Sequence, residues 1–226
     1  MKISDVYSGL TSSLVEWHGF LANPSYVRQS TSSKDCVTWK DRQSQHLSDT
    51  ITPEDVSELV DNNQFSFQVL QDGSIFRIYY EFEKGRQKLV AASLAFLLSG
   101  DYYDKSYSGG VEEDRDDSEL RTETGWLRID YSSRPEDDGG VIHPCCHMHL
   151  SQFPAARITL DRVPNPCQFI EFVISVCYPD VYRSKRLEPN GRFSSLAHMS
   201  KVNSPPSPSL LLSHVCDHII HVKVPG

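Results

Sequence analysis

The chain has 226 residues, with 22 Lys+Arg against 30 Asp+Glu, a net charge of −8 and 38% hydrophobic residues. That composition is globular and excludes collagen, coiled coil and wholesale disorder, while the length suits one large domain or two small ones. The longest apolar run, 94–98 with flanking alanines, falls far short of the roughly 18 residues that cross a bilayer, so no membrane span is expected.

Ile3, Val6, Leu10, Leu14, Trp17 and Leu21 follow one another at steps of three and four, which predicts an amphipathic helix over 3–21. Residues 30–49 are polar and aperiodic and read as a connection. Thr52-Pro53-Glu54-Asp55 supplies an N-cap, a first-turn proline and early acids for a helix to about Asp61. Phe65, Phe67 and Val69 alternate with polar residues, Asp72-Gly73 turns, and 75–82 alternates again, which predicts a β-hairpin. The continuous apolar run 89–98 suits a buried strand or a helix equally.

Residues 100–125 form a polar, acidic insertion, with seven acids and two arginines between 112 and 123, and read as a solvated loop. Strands are predicted at 126–131, 145–150 and 156–160, and the connections between them are too short for crossover helices, so the sheet is expected to be antiparallel. Asn165, Pro166 and Gln168 form the start of a capping box, and the apolar stretch that follows predicts a buried helix at about 166–177, stopped before Pro179.

From Val181 onward there are six basic residues and two acids, and Ser204-Pro205-Pro206-Ser207-Pro208 is linker-like. The expected architecture is α+β, a mostly antiparallel sheet with an N-terminal amphipathic helix and a buried helix. It is expected to form one domain over 1–200, with the acidic loop inserted and a linker and strand-like tail over 201–226.

The densest reactive cluster is His143-Pro144-Cys145-Cys146-His147-Met148-His149-Leu150. Alternate residues of a strand share a face, so Cys145, His147 and His149 line one side while Cys146, Met148 and Leu150 point to the core. Trp126, Arg128 and Asp130 share a face by the same rule, as do Arg157, Thr159 and Asp161. Where these strands are neighbours, Arg128, Asp130, His147, His149 and Arg157 converge into a set able to hold an anion and move a proton.

The same two histidines could instead share a divalent metal, completed by a carboxylate or the Cys145 thiolate, and no other cofactor is indicated. Against both stands a plainer reading, in which His147 and His149 are the solvent-facing half of an edge strand or hydrogen-bond within the sheet. H-E-x-x-H, G-x-x-x-x-G-K-[ST], G-x-G-x-x-G and G-x-S-x-G are all absent, which removes the handles for zincin, NTPase, dinucleotide-binding and α/β-hydrolase chemistry. The negative charge disfavours nucleic-acid binding by the whole surface and leaves a local contact through the basic tail. Asp5, Ser8 and Ser12 interrupt the apolar stretch that a secretory signal needs, and the six cysteines show no C-x-x-C pair, so reduced thiols in the cytoplasm are expected.

The run Trp126-Leu127-Arg128-Ile129-Asp130-Tyr131 is followed by His143-Pro144 and His147-Met148-His149-Leu150, then by Arg157-Ile158. Pro164-x-Pro166, Gln168-Phe169-Ile170-Glu171-Phe172 and Tyr178-Pro179 come after these. Together the stretches resemble a bacterial family known as domain of unknown function 2290, over about 126–179. The resemblance implies a bacterial, cytoplasmic protein whose genes travel with mobile-element or phage-defence neighbours, and it supplies no catalytic residues. Two functions are therefore expected. The first is a non-enzymatic subunit of a multi-protein antiviral-defence system that docks a partner encoded nearby. The alternative is a small phosphodiesterase or nuclease built on the His147-x-His149 strand.

Overall fold

The computed structural model describes residues 1–43, 47, 50–85, 87–102, 124–134 and 144–187. The acidic segment 112–123, Tyr103, Tyr107 and His143 lie outside the described residues, as do the linker and tail over 201–226 with Cys216, His214, His218 and His221.

Helix α1 (Ile3–Glu16) opens where the Lys2 N–H donates to Asp5 Oδ2 at 2.8 Å, and it buries Ile3, Val6 and Leu10. The expected helix ran to residue 21. It stops sooner because Gly19, at φ +83°, turns the chain through the left-handed region that glycine enters without strain. Leu21 keeps the four-residue step from Trp17 but belongs to β1 (Leu21–Ala22), opposite Val69.

The polar stretch read as a connection contains the strand β3 (Lys34–Trp39), which forms a hairpin with β2 (Tyr26–Ser30) just before it. β2 is largely exposed at the sheet margin, so it carries no apolar alternation by which a strand could be recognised. Helix α2 (Pro53–Asp61) has its expected N-cap, closed into a capping box by the Asp55 N–H donating to Thr52 Oγ1 at 3.2 Å and the Thr52 N–H to Asp55 Oδ2 at 2.8 Å. β4 (Phe67–Val69) and β5 (Ile75–Glu83) form the predicted hairpin through Gly73, at φ +81°. The run with two readings is a strand, β6 (Leu89–Leu97). Next come β7 (Trp126–Ser132), β8 (Cys146–Leu150) and β9 (Phe153–Thr159), the last starting three residues earlier than expected and running through Pro154. An edge strand accommodates proline because one side of its backbone has no ladder to complete.

Helix α3 (Pro166–Cys177) begins and ends as its cap and Pro179 predict. A further helix, α4 (Pro179–Leu187), starts at that same proline, whose missing N–H would have no partner in a first turn. All strands join one antiparallel sheet in the order β1-β4-β5-β6-β7-β8-β9, with the β2–β3 hairpin attached to the other end of β5. The architecture is α+β with an antiparallel sheet, as expected.

One face of the sheet, including Phe76, Ile78, Tyr80, Leu94, Phe96, Ile129 and Met148, packs with α1 and with Phe169, Ile170, Val173 and Ile174 of α3. α1 comes close to α3 at Gly9, where a Cβ would lie 3.2 Å from Pro166 Cδ. The opposite face is covered at one end by α2, through Ile51, Val56, Leu59 and Phe65 on Ile75, Ala95, Leu97 and Trp126. The rest of that face is polar. Tyr79, Tyr80 and Phe82 are buried in the sheet, and the five described cysteines are free thiols. No helix among the described residues is long and apolar enough to cross a membrane.

Asn165 Oδ1 accepts the Gln168 N–H at 2.9 Å and Gln168 Oε1 accepts the Asn165 N–H at 3.0 Å, which satisfies two donors that the start of α3 would otherwise leave unpaired. Asn165→Ala is expected to lower the unfolding free energy by about 1 kcal/mol, read as a shift of the urea midpoint with unchanged slope.

Candidate functional site

The site is set by register. Ser93 of β6 pairs with Asp130 of β7, which pairs with His147 of β8, while Ala95 pairs with Arg128 and Arg128 with His149. The strands carrying Asp130 and the histidines are therefore immediate neighbours. Directly opposed residues of an antiparallel ladder point to the same face, so Arg128, Asp130, His147 and His149 form a compact square on the polar side of the sheet.

Asp130 is its hub. Its Oδ1 accepts the Ser93 hydroxyl at 3.0 Å, its Oδ2 accepts Arg128 Nε at 2.6 Å, and His149 Nε2 stands 3.9 Å from that second oxygen. The two imidazoles meet edge to face with centroids 4.7 Å apart. One ligand atom from each of Asp130, His147 and His149 can be chosen so that all three lie within 4.8 Å of one another, the only such grouping among the described residues.

The histidines are not the solvent-facing half of an edge strand: they are 5% and 4% exposed, and β9 covers β8 as the edge. His147 Nδ1 lies 2.7 Å from the Pro144 carbonyl oxygen and His149 Nδ1 lies 3.2 Å from that of Pro154. A carbonyl oxygen only accepts, so each Nδ1 carries the hydrogen, and in the neutral ring the lone pair sits on Nε2. Burial is the largest influence on His149. It pushes the imidazole below its ordinary pKa, aided by the charges of Arg128 and Arg157 and opposed by the Pro154 hydrogen bond and Asp130. His149 is thus biased to the neutral, electron-donating form that a proton acceptor or metal ligand needs.

Four of the five expected residues come together and the fifth does not. Arg157 is exposed on β9, and among the described residues no hydrogen bond or ion pair joins it to the others, although its charge reaches His149. The cause is the register break between Met148 and Leu150, which leaves β9 opposite His147 through Thr159 but out of step with His149. Cys145 is exposed and outside the ligand grouping, while burial raises the Cys146 thiol to about 12, as suits a small core side chain. Sequence reasoning passed over Ser93, which holds Asp130 from the middle of an apolar run. Only its pairing partner distinguishes it from its neighbours.

Asp130→Asn keeps the shape but removes the charge that Arg128, with a side chain 17% exposed, is bonded to. The unfolding free energy is expected to fall by about 1–2 kcal/mol, measured by urea denaturation, with the far-UV spectrum preserved.

A family model described as an uncharacterized conserved protein (DUF2290) matches residues 21–216. The match extends well beyond the 126–179 stretch that carries the resemblance, from β1 through every described strand and past α4. No curated protein and no solved structure matches the chain. With most of its length inside the matched region, the chain belongs to the DUF2290 family.

Proposed function

We propose that Asp130, His147 and His149 hold a divalent cation and that, with Arg128, they form a hydrolytic centre for phosphodiester substrates in the bacterial cytoplasm. The observation that carries this reading is the pair of imidazoles whose Nδ1 hydrogens are tied to backbone carbonyls, beside a carboxylate and within 4.8 Å of it. Anchoring one ring nitrogen to an acceptor is how metal-ligating histidines are oriented, leaving the other nitrogen to donate. When bound, such a cation would supply a Lewis acid able to activate water for attack on a phosphodiester, with Asp130, His147 and His149 holding it. Arg128, which donates to Asp130, would neutralise charge on the phosphoryl oxygens. Any nucleic-acid contact would come through the basic tail.

The test is metal content of the purified full chain by elemental mass spectrometry, beside hydrolysis of bis(p-nitrophenyl) phosphate with added Mn²⁺ or Zn²⁺. Near-stoichiometric metal and turnover are expected in the wild type, with both lost in a folded His147→Ala/His149→Ala variant. A wild type that neither retains nor binds metal, or a double variant that hydrolyses as well as the wild type, would sink the reading.

A second reading, a non-enzymatic subunit of an antiviral-defence assembly, is favoured by the sheet edge. β9 is exposed along almost its whole length, and Phe153 at its start is 66% exposed. Such an edge can accept a strand from a partner, although Pro154 limits pairing at its beginning. Co-expression with the products of adjacent genes is expected to give a stable complex that Phe153→Glu weakens at least tenfold. A chain that stays monomeric in the presence of all of them would argue against it.

A further inference from the structure

The face that carries the histidines holds a second polar cluster across β5, and one of its members lacks a counterpart. Arg77 pairs with Ala95, and Ala95 with Arg128, so Arg77 lies on the same face two strands from Arg128, roughly 10 Å away between Cα atoms at about 4.8 Å per strand. It is 3% exposed, and among the described residues its Nε and Nη1 find no hydrogen-bond partner. The Trp39 ring lies 4.7 Å from its Cζ, which supplies cation–π attraction but no acceptor for the N–H groups.

The charge that acts on Arg77 is another guanidinium. Exposed Arg42 lies 3.9 Å over Tyr79 and 5.4 Å over Trp39. Burial first, and then the Arg42 charge, bring Arg77 down to about 10. The carboxylate on the next same-face position of the strand beyond Tyr79 is committed elsewhere, since Glu81 accepts from Lys34 at 2.7 Å and from the Tyr79 hydroxyl. A buried cation with unmade donors and a like-charged neighbour is an unfavourable arrangement that an anion would complete.

The wall around it is built rather than loose. Gln64, 2% exposed, accepts from Trp39 Nε1 at 3.0 Å and from the Gln43 N–H at 2.9 Å. Its amide nitrogen donates to the carbonyls of Asp41 and Asn62 at 3.1 Å each. This clamp holds the segment bearing Arg42 against the sheet. On β3, which pairs with β5, the fully buried Thr38 hydroxyl also lacks a partner among the described residues.

We propose that Arg77 and Arg42 form a binding site for an oxyanion of the phosphate class. Arg77 supplies the buried donors, exposed Arg42 turns from Tyr79 to close over the anion, and Trp39 fixes the plane of Arg77. A guanidinium presents N–H groups in a fork that matches two phosphoryl oxygens. The assignment does not depend on the metal reading, because neither arginine belongs to the Asp130–His147–His149 cluster.

The test titrates inorganic phosphate into the full chain at constant ionic strength, read by calorimetry and by thermal melting. Saturable binding of one phosphate per chain and a melting temperature that rises with phosphate are expected. Arg77→Met and Arg42→Ala should each weaken binding at least tenfold. In phosphate-free buffer Arg77→Met should melt no lower than the wild type, since it removes a charge with no counterpart. A wild type with no phosphate-dependent heat or melting shift overturns the site, as do variants that bind phosphate as the wild type does. An Arg77→Met chain that melts lower without phosphate, or fails to fold, also overturns it, because Arg77 would then be a support of the fold.

Discussion

The pairing of β7 between β6 and β8 is the constraint on which the polar face depends. Side chains alternate along a strand, so a slip of one residue between β7 and β8 would carry His147 and His149 into the helix-covered core and expose Cys146 and Met148. Packing prevents the slip. Ile129 stands between Leu94 and Met148, and Leu127 between Phe96 and Leu150, in the layer that α3 covers with Phe169, Ile170 and Val173. Burying this layer is favourable by about 25 cal/mol per Å² of apolar surface. Moving it out while forcing two imidazoles in would reverse that gain and add their desolvation. The apolar side of the sheet thereby dictates the arrangement of the polar side.

That polar side shows two ways of placing charge where water is scarce. Around Asp130 nearly every demand is met from nearby: a serine hydroxyl and a guanidinium on the carboxylate, and backbone carbonyls from the β8 approach and from β9 on the imidazoles. Around Arg77 the aromatic rings and the Gln64 clamp are in order, yet among the described residues Nε and Nη1 have no acceptor. A satisfied cluster holds its own geometry, and an unsatisfied one stores unfavourable energy that a ligand can release. Both clusters lie on one face, separated by the small side chains of Ser93 and Ala95.

Features written in local chemistry were legible in the sequence. Asn165-Pro166 with Gln168 marked the first turn of α3, Thr52-Pro53 with Asp55 that of α2, and Asp72-Gly73 the β4–β5 turn, because caps and turns are made by residues within three or four positions of each other. Where a long-range partner overrode the local pattern, the reading failed. Leu21 satisfied helical spacing but pairs with Val69, and β3 was read as part of a polar connection because its support comes from pairing with β2 and β5 and not from apolar alternation. Pro179 marked the end of α3 without revealing that it also begins α4.

The sequence by itself determined the class of the fold, the alternation that puts His147 and His149 on one face with Arg128 and Asp130 on another strand, and membership of the DUF2290 family. Only the tertiary structure decided that these two strands are adjacent, that the imidazoles are buried, that Arg157 stands apart across a register break, and that Arg77 Nε and Nη1 find no acceptor among the described residues. The division has a physical origin. Alternation and capping depend on residues a few positions apart, whereas strand adjacency, burial and the pairing of charge depend on which distant segments share the core.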